Sequence, residues 1–398
     1  MSYNFRLFFI TFYKSIFQSK GTHAQLTRKR IGFLLLFYLV WPVWGIIVWA
    51  SFLLDNLLFP GHKNQPAEKP LFILGNFRSG STYLQRLIAK DKDQFASART
   101  WDIFLSPSVT LTKFFSVLLS IDKIFGSPLK KMFVKFDART LGRVEIHKIS
   151  FFDPEEDENF LLHKWSSFFA GVMFPFIEDF LPYIYFDNRL TPEEKASIMD
   201  FYQRTVQRFL FSRPKHLHFL SKNPSFSPKI TSIFQHFPSA KIIYLVRNPL
   251  EMIPSTISWL GYTWRVFSDP LEKYPFISEI LEFTKHWYDY PLEILSKTDP
   301  ANYLIIKYDD LIQKPEETVY HIYKHFGYTI QNSFRQTLKQ TVTETQKFSN
   351  NHTYSLEEMG ITRQQILDTY SDIFERFGFD THIGHKDVQI IPNETTLS

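Results

Sequence analysis

The sequence predicts an α/β protein: a P-loop-like three-layer fold with a central parallel sheet flanked by helices, preceded by an N-terminal membrane-associated helical segment. Three observations predict it. From Pro70 onward, short apolar runs alternate with helix-patterned segments, the order that builds a parallel sheet covered on both faces. Pro70 to Ala89 (PLFILGNFRSGSTYLQRLIA) reads as strand, glycine-bounded loop and helix. Ahead of it, Ile31 to Leu54 carries no charged residue. The boundary is expected near residue 60, with residues 1–60 as the membrane-associated segment and 61–398 as the main domain.

Composition narrows the partners. The chain has 398 residues, 43 Phe against 14 Gly, a net charge of +5 and a pI near 9.0. That mild basicity suits an anionic ligand or a membrane surface, and the absence of a concentrated Lys/Arg tract argues against a nucleic-acid groove. With no cysteine, disulfides and Cys-ligated zinc are excluded.

Residues 1–30 hold Arg6, Lys14, Lys20, Arg28, Lys29 and Arg30 and no acid. The uncharged run that follows is long enough to cross a bilayer, and Trp41, Trp44 and Trp49 suit an interface. It is too long, and starts too late, for a cleaved signal peptide. The first expectation is one spanning helix (31–54) with the basic N-terminus in the cytoplasm. Pro42 allows a second geometry, a monotopic hairpin with both ends on one side. The third is a helical pair buried on a soluble domain.

Gly61 to Lys69 is polar and reads as a linker. In the loop that follows, Gly75-Asn76-Phe77-Arg78-Ser79-Gly80-Ser81-Thr82, backbone N–H groups turn inward at a helix N-terminus, where the dipole favours an anion. Gly75 to Gly80 has Walker A spacing, but Ser81 stands where the lysine belongs, and the positive charge is Arg78 instead. An ordinary strand-to-helix turn is the alternative on this stretch alone.

The next informative stretch is Phe151 to Leu162 (FFDPEEDENFLL). Asp153 fits an N-cap, Pro154 a first helical turn and Glu156 the third position of a capping box. The same acids could instead supply a general base. Residues 165–185 read as an aromatic wall, and Thr191-Pro-Glu-Glu opens a capped helix to about Leu210. Leu217 to Leu220 is a short strand ending in Ser221-Lys222-Asn223. Lys241 to Val246 is a near-continuous apolar strand, as expected when both faces are buried, and it ends in Arg247, with Ser255 eight residues on. Tyr303 to Lys307 is a further strand, followed by Tyr308.

Arg78, Lys222 and Arg247 each follow an apolar strand, so all three can converge at the carboxyl edge of one sheet. Singly, each has a bland reading as a surface or salt-bridging side chain. Together they describe a pocket for a multiply anionic ligand. A P-loop kinase needs a magnesium site, usually with an acid ending the next buried strand. Here that strand ends in Arg247. A nucleotide held without metal, by arginines and backbone amides, fits better, and a sulfonucleotide suits that description.

At these residues the chain resembles the PAPS-dependent sulfotransferases. PLFILGNFRSGSTYL is similar to their 5′-phosphosulfate loop and KIIYLVRNPLEMIPSTISW to their 3′-phosphate motif. LSKNPSFSPKI, FDPEEDENFLL and YDDLIQKPEETVYHIYKHFGY resemble segments of the carbohydrate/tyrosine-sulfotransferase-like branch. The matching blocks run from about Pro70 to Gly327, and residues 1–60 lie outside them. The resemblance implies that Arg78 and the amides of Ser79, Gly80, Ser81 and Thr82 hold the 5′-phosphosulfate of PAPS. It implies that Arg247 and Ser255 bind the 3′-phosphate and that Lys222 stabilises the sulfuryl group in flight, with no metal. The base is implied within Glu155–Glu158, Glu156 first and Glu158 second, with His147 and His163 open. The acceptor is expected to be a hydroxyl of a small molecule, lipid or glycan. The Phe-rich walls and apolar N-terminus suggest a lipid-like or glycolipid alcohol, with a carbohydrate almost equally expected. A P-loop nucleotide kinase and a non-catalytic nucleotide-binding membrane protein are the competing classes.

Overall fold

A computed structural model describes residues 2–140, 150–345 and 355–382. Five strands, Leu71–Gly75 (β1), Phe95–Ser97 (β2), His218–Lys222 (β3), Lys241–Val246 (β4) and Tyr303–Lys307 (β5), form one sheet in the order β2-β3-β1-β4-β5. Every pairing is parallel, with Ile73 opposite Lys222 and Gly75 opposite Leu245. The sequence reading places four of these strands. It misses β2, whose three residues pair only with β3 and are too short to show an apolar pattern.

The strands lack polar alternation because both faces are buried. Successive side chains point to opposite sides: Phe72, Leu74, Ile242 and Tyr244 join one apolar cluster, Leu71, Ile73, Ile243 and Leu245 the other. The helix Ser81–Ile88 (α3) and the helix Pro315–Phe326 close the second cluster with Leu84, Leu87 and Ile322. Helices Pro192–Phe211, Pro249–Phe267 and Ile277–Ser296 close the first, with Phe201, Ile253 and Trp287. This is the expected three-layer arrangement.

The N-terminal segment forms Phe5–Phe17 (α1) and one long helix, Arg28–Leu58 (α2), which runs through Pro42. Thr27 caps α2 by accepting from the Arg30 N–H at 3.2 Å. One side of α2 is docked along its whole length. Leu34, Phe37, Val48 and Phe52 are buried there, and Arg30 donates from Nη1 to the carbonyls of Met173 (2.8 Å) and Phe267 (3.0 Å). Trp44 and Trp49 donate from Nε1 to the carbonyls of Phe104 and His163 at 2.8 and 2.9 Å. Asp55 pairs with Arg208 at 3.1 Å and caps the helix Val109–Ile124 by accepting from the N–H groups of Val109 and Thr110. The opposite side, including Leu35, Leu39, Val43 and Ile46, is exposed.

Candidate active site

The loop between β1 and α3 takes its shape from two glycines. Gly75 has φ +141°, and a Cβ there would meet the Leu245 carbonyl oxygen at 2.5 Å, so the close pairing of β1 with β4 requires glycine. Gly80 stands at the cap position of α3 with φ +87°, and a Cβ would meet the Tyr308 ring at 2.9 Å. It has no side chain to cap α3, which leaves the first-turn N–H groups facing the loop for an anion. Arg78 also has positive φ, at 61°. Within this loop Ser79 is fully buried, and its Oγ has no hydrogen-bond partner among the described residues.

The register of the sheet gathers the basic residues. β3, β1 and β4 are adjacent, so Lys222, the Arg78 loop and Arg247 leave the sheet at the same edge within two strand spacings, roughly 10 Å. Arg78 and Ser255 are joined directly: Arg78 Nε donates to Ser255 Oγ at 3.0 Å. Arg247 Nη1 donates to the Arg78 carbonyl at 2.8 Å, its Nε donates to Glu251 at 2.9 Å, and its guanidinium lies 3.9 Å from the Tyr308 ring centroid. Thus the loop and the strand-end arginine, far apart in sequence, form one cluster. Ser81 and Thr82 open α3 beside it.

The acidic stretch departs from the expected capping box. Asp153, Pro154 and Glu156 start no α-helix. Arg99 and Pro154 form an antiparallel bridge, and the Glu155 N–H donates to the Ala98 carbonyl at 3.0 Å, which holds the segment extended beside the residues after β2. The helix that follows is a 3₁₀ segment, Asp157–Lys164, with no side-chain cap from Glu156. The Glu156 side chain goes elsewhere: its Oε1 accepts from Lys222 Nζ at 2.8 Å, with the lysine fully buried.

Asp157 and Asn223 set that contact. Asp157 accepts from Tyr202 Oη, from Ser221 Oγ at 3.0 Å, from the Lys222 N–H at 3.2 Å and from Asn223 Nδ2 at 3.1 Å. Asn223 Oδ1 in turn accepts from the Glu158 N–H at 2.9 Å. These bonds tie the start of the 3₁₀ segment to the end of β3, which places Glu156 next to Lys222. The other acids are accounted for. Glu158 is wholly buried against Lys229 at 2.8 Å and also accepts from Ser167 Oγ and the Phe168 N–H. Glu155 accepts the Glu156 N–H at 2.9 Å.

His163 is also a packed residue. It stacks on Trp41 of α2 (5.7 Å, 9° between planes), and its Nε2 donates to the Ile103 carbonyl at 2.8 Å. Burial pushes its pKa down to about 4. His147 lies outside the described residues. The lowered pKa gives a testable pH dependence. A base depressed in the folded state takes up its proton more readily when unfolded. Its contribution is therefore full above about pH 6.5 and is lost as pH falls toward 4. We expect about 3 kcal/mol of stability to disappear across that window on this account. Asp157, whose pKa burial raises to about 6, works in the opposite sense, favouring the fold below about pH 4 and losing that contribution as pH rises to 6. Urea unfolding of the wild type and of His163→Gln from pH 4 to 7 isolates the histidine. An identical slope in the two proteins would assign the pH dependence to other groups.

The "Sulfotransferase family" model matches residues 129–332, which contain Glu156, Lys222, Arg247 and Ser255. The chain belongs to the sulfotransferase family. This sulfotransferase is 24% identical over 327 residues to the omega-hydroxy-beta-dihydromenaquinone-9 sulfotransferase Stf3 of Mycobacterium bovis, across 79% of this chain and 76% of that protein. The Stf3 of Mycobacterium tuberculosis gives the same figures. Two solved structures are similar in fold. Sulfotransferase STF1 from Mycobacterium tuberculosis H37Rv has a TM-score of 0.67 at 18% identity, covering 93% of this chain and 92% of its own. STF9 from Mycobacterium avium has 0.66 at 16%, covering 96% and 98%.

In this sulfotransferase the loop Gly75–Thr82 precedes the residues matched by the family model, so it enters the site through the sheet register and the Arg78–Ser255 contact. Sequence reasoning missed Asp157, Asn223 and Tyr202, which fix the Glu156–Lys222 contact. It also missed Tyr308 as the surface under Arg247. The signal for Asn223 was present, because it directly follows the strand-end lysine. Tyr202 gave none, since it falls on the apolar face of a long helix.

Proposed function

We propose that this sulfotransferase moves the sulfuryl group from PAPS to a hydroxyl of a lipid-like alcohol by in-line displacement, with Glu156 as general base. The observation that carries this reading is the 2.8 Å contact between Glu156 and a fully buried Lys222 at the edge where the phosphate loop opens. The ammonium fixes the carboxylate in position beside the loop. A lysine has three donors, so Lys222 can hold Glu156 and still reach a second oxygen.

The residues suit the donor. Arg78, the first-turn amides of α3 and the orphaned Ser79 hydroxyl offer donors to the 5′-phosphosulfate. Arg247 and Ser255 offer them to the 3′-phosphate. The acceptor hydroxyl loses its proton to Glu156 as its oxygen bonds to sulfur, the bond from sulfur to the 5′-phosphate oxygen breaks, and 3′,5′-ADP leaves. General-base assistance of this kind contributes about 10²–10⁴-fold. Arg78 and Lys222 act by fixed charge on the leaving oxygen. The lipid-like acceptor is supported by a relative whose name gives omega-hydroxy-beta-dihydromenaquinone-9 as what it acts on.

Calorimetry with 3′,5′-ADP and ATP, each with and without magnesium, tests the donor. Metal-independent binding of 3′,5′-ADP with ATP much weaker is the expected result; magnesium-dependent ATP binding would point to an NTPase. Sulfate transfer from PAPS to a long-chain isoprenoid alcohol, compared with soluble glycans, tests the acceptor. Transfer to glycans alone would remove the lipid assignment.

A further inference from the structure

Exposed apolar side chains are ordinary when scattered and informative when gathered. Among the described residues, the large ones that stand exposed lie in residues 5–58 and 114–136, all but Phe152, Val266 and Leu271. Those two stretches are α1 and α2, and the helices Val109–Ile124 and Pro128–Thr140. The helix Val109–Ile124 packs against α2, so the two exposed surfaces adjoin. On α2 the outer residues recur at helical spacing: Leu35, Leu39, Val43, Ile46, Leu53 and Leu57, between 58% and 75% exposed. A helix apolar on every side belongs in a core or in lipid, and only one side of α2 has a core to meet.

The inner side limits how α2 can meet a bilayer. At 31 residues it is about 46 Å long, against a hydrocarbon core of about 30 Å. The main domain holds it at every level, from Arg30 on the Met173 and Phe267 carbonyls, through Trp44 and Trp49, to Asp55 paired with Arg208. A bilayer crossed by α2 would have to enclose those irregular carbonyls and that ion pair as well, which hydrocarbon does not tolerate at a lipid-exposed surface. The outer side carries no such group. Basic residues border it: Arg6, Lys20 and Arg28 are exposed at the α1–α2 end, and Lys123, Lys130 and Lys131 at the other helix pair. That charge complements anionic headgroups, whereas a second copy of this chain would bring the same basic border against it.

We propose that α1, α2 and the outer faces of helices Val109–Ile124 and Pro128–Thr140 form a monotopic membrane face, entering one leaflet of an anionic bilayer and leaving both ends of α2 on the same side. Of the two membrane geometries open in the sequence, this is the non-spanning one. It also brings the chemistry near lipid. The 3₁₀ segment that starts after Glu156 reaches α2 at His163, which stacks on Trp41 and accepts from Trp49. Seven residues at about 2 Å each put Glu156 no more than roughly 14 Å along the segment from His163, where it meets the docked side of α2. This last link rests on the proposed role of Glu156; the membrane face does not.

The cysteine-free sequence makes the test clean. Lys20→Cys and Lys63→Cys, exposed before and after α2, are made singly in the full chain and labelled in sealed membrane vesicles with an impermeant maleimide. Equal accessibility of both positions in the same vesicle preparation is expected; protection of one and labelling of the other would show that α2 spans and overturn the proposal. Flotation of the full-length protein with phosphatidylcholine vesicles, with and without phosphatidylglycerol, reads the lipid contact directly. We expect several-fold more protein to float with the anionic vesicles. Leu39→Glu/Ile46→Glu should abolish flotation while 3′,5′-ADP binding and circular dichroism stay unchanged. Flotation indifferent to both changes, or a detergent-free dimer that stays in the aqueous phase, would overturn the proposal. None of these readouts depends on sulfate transfer, so a wrong acceptor assignment leaves them untouched.

Discussion

Glu156→Gln should slow sulfuryl transfer by about 10²–10⁴-fold while 3′,5′-ADP binding stays within a few-fold of wild type. Glutamine keeps the shape and can still accept from Lys222 Nζ, so the 2.8 Å contact survives in form. What it removes is the basicity and the charge. The same substitution also leaves a buried ammonium without its counter-ion, and breaking one side of a buried ion pair costs about 3–5 kcal/mol. Rate and stability therefore have to be measured together. Lys222→Ala should be slower by about 10²–10³-fold, as expected for loss of a fixed charge on the leaving oxygen, and it carries the reciprocal stability cost. The double variant Glu156→Gln/Lys222→Met separates the two effects. With both charges gone, the urea midpoint should return toward wild type while turnover stays at the level of the slower single variant. A Glu156→Gln enzyme with near-wild-type turnover would make the carboxylate only a counter-ion for Lys222.

The parts of this site legible in the sequence are those whose chemistry is written locally. The Gly75–Thr82 loop announces itself because glycine is needed where a Cβ on β1 would meet the Leu245 carbonyl oxygen of β4 at 2.5 Å, and the strand-end basic residues because β3 and β4 are apolar runs that stop at Lys222 and before Arg247. Glu156 was legible as a candidate but not as a choice. Five of the six residues Asp153–Glu158 are acids, and propensity alone favours a capped helix there. Tertiary bonds decide otherwise: the bridge at Arg99–Pro154 keeps the chain extended, and Asp157 docks on Ser221, Lys222 and Asn223. Those partners are more than 60 residues away in sequence, and no pattern in the acidic stretch contains them. α2 illustrates the same limit. Hydropathy finds the run, but the domain contacts that fix Arg30 and Asp55 at its two ends come from Met173, Phe267 and Arg208.

The second large effect is expected at Arg247. If this arginine binds the 3′-phosphate, wild type should hold 3′,5′-ADP at least about 10²-fold more tightly than 5′-AMP, and Arg247→Ala should bring the two within a few-fold. Charge-assisted hydrogen bonds are worth about 1.5–3 kcal/mol each, and every 1.4 kcal/mol is tenfold in affinity. The 5′ side should suffer too. Arg247 Nη1 holds the Arg78 carbonyl at 2.8 Å, and Arg78 Nε reaches Ser255 Oγ at 3.0 Å, so the arginine braces the loop proposed to hold the transferring group. Arg247→Ala is therefore expected to weaken 5′-AMP as well, by roughly tenfold, and not only to erase the preference. Ser255→Ala removes a single neutral hydroxyl donor to the 3′-phosphate and should cost about 1 kcal/mol, near fivefold, on 3′,5′-ADP. Arg247→Lys keeps the charge but not the planar fork that stacks on Tyr308 at 3.9 Å, and should fall between wild type and alanine. Calorimetric titration of the four proteins with both nucleotides gives the comparison. An Arg247→Ala protein that is stably folded and still prefers 3′,5′-ADP by the wild-type ratio would place the 3′-phosphate elsewhere, and would leave Arg247 as a brace for the Arg78 loop only.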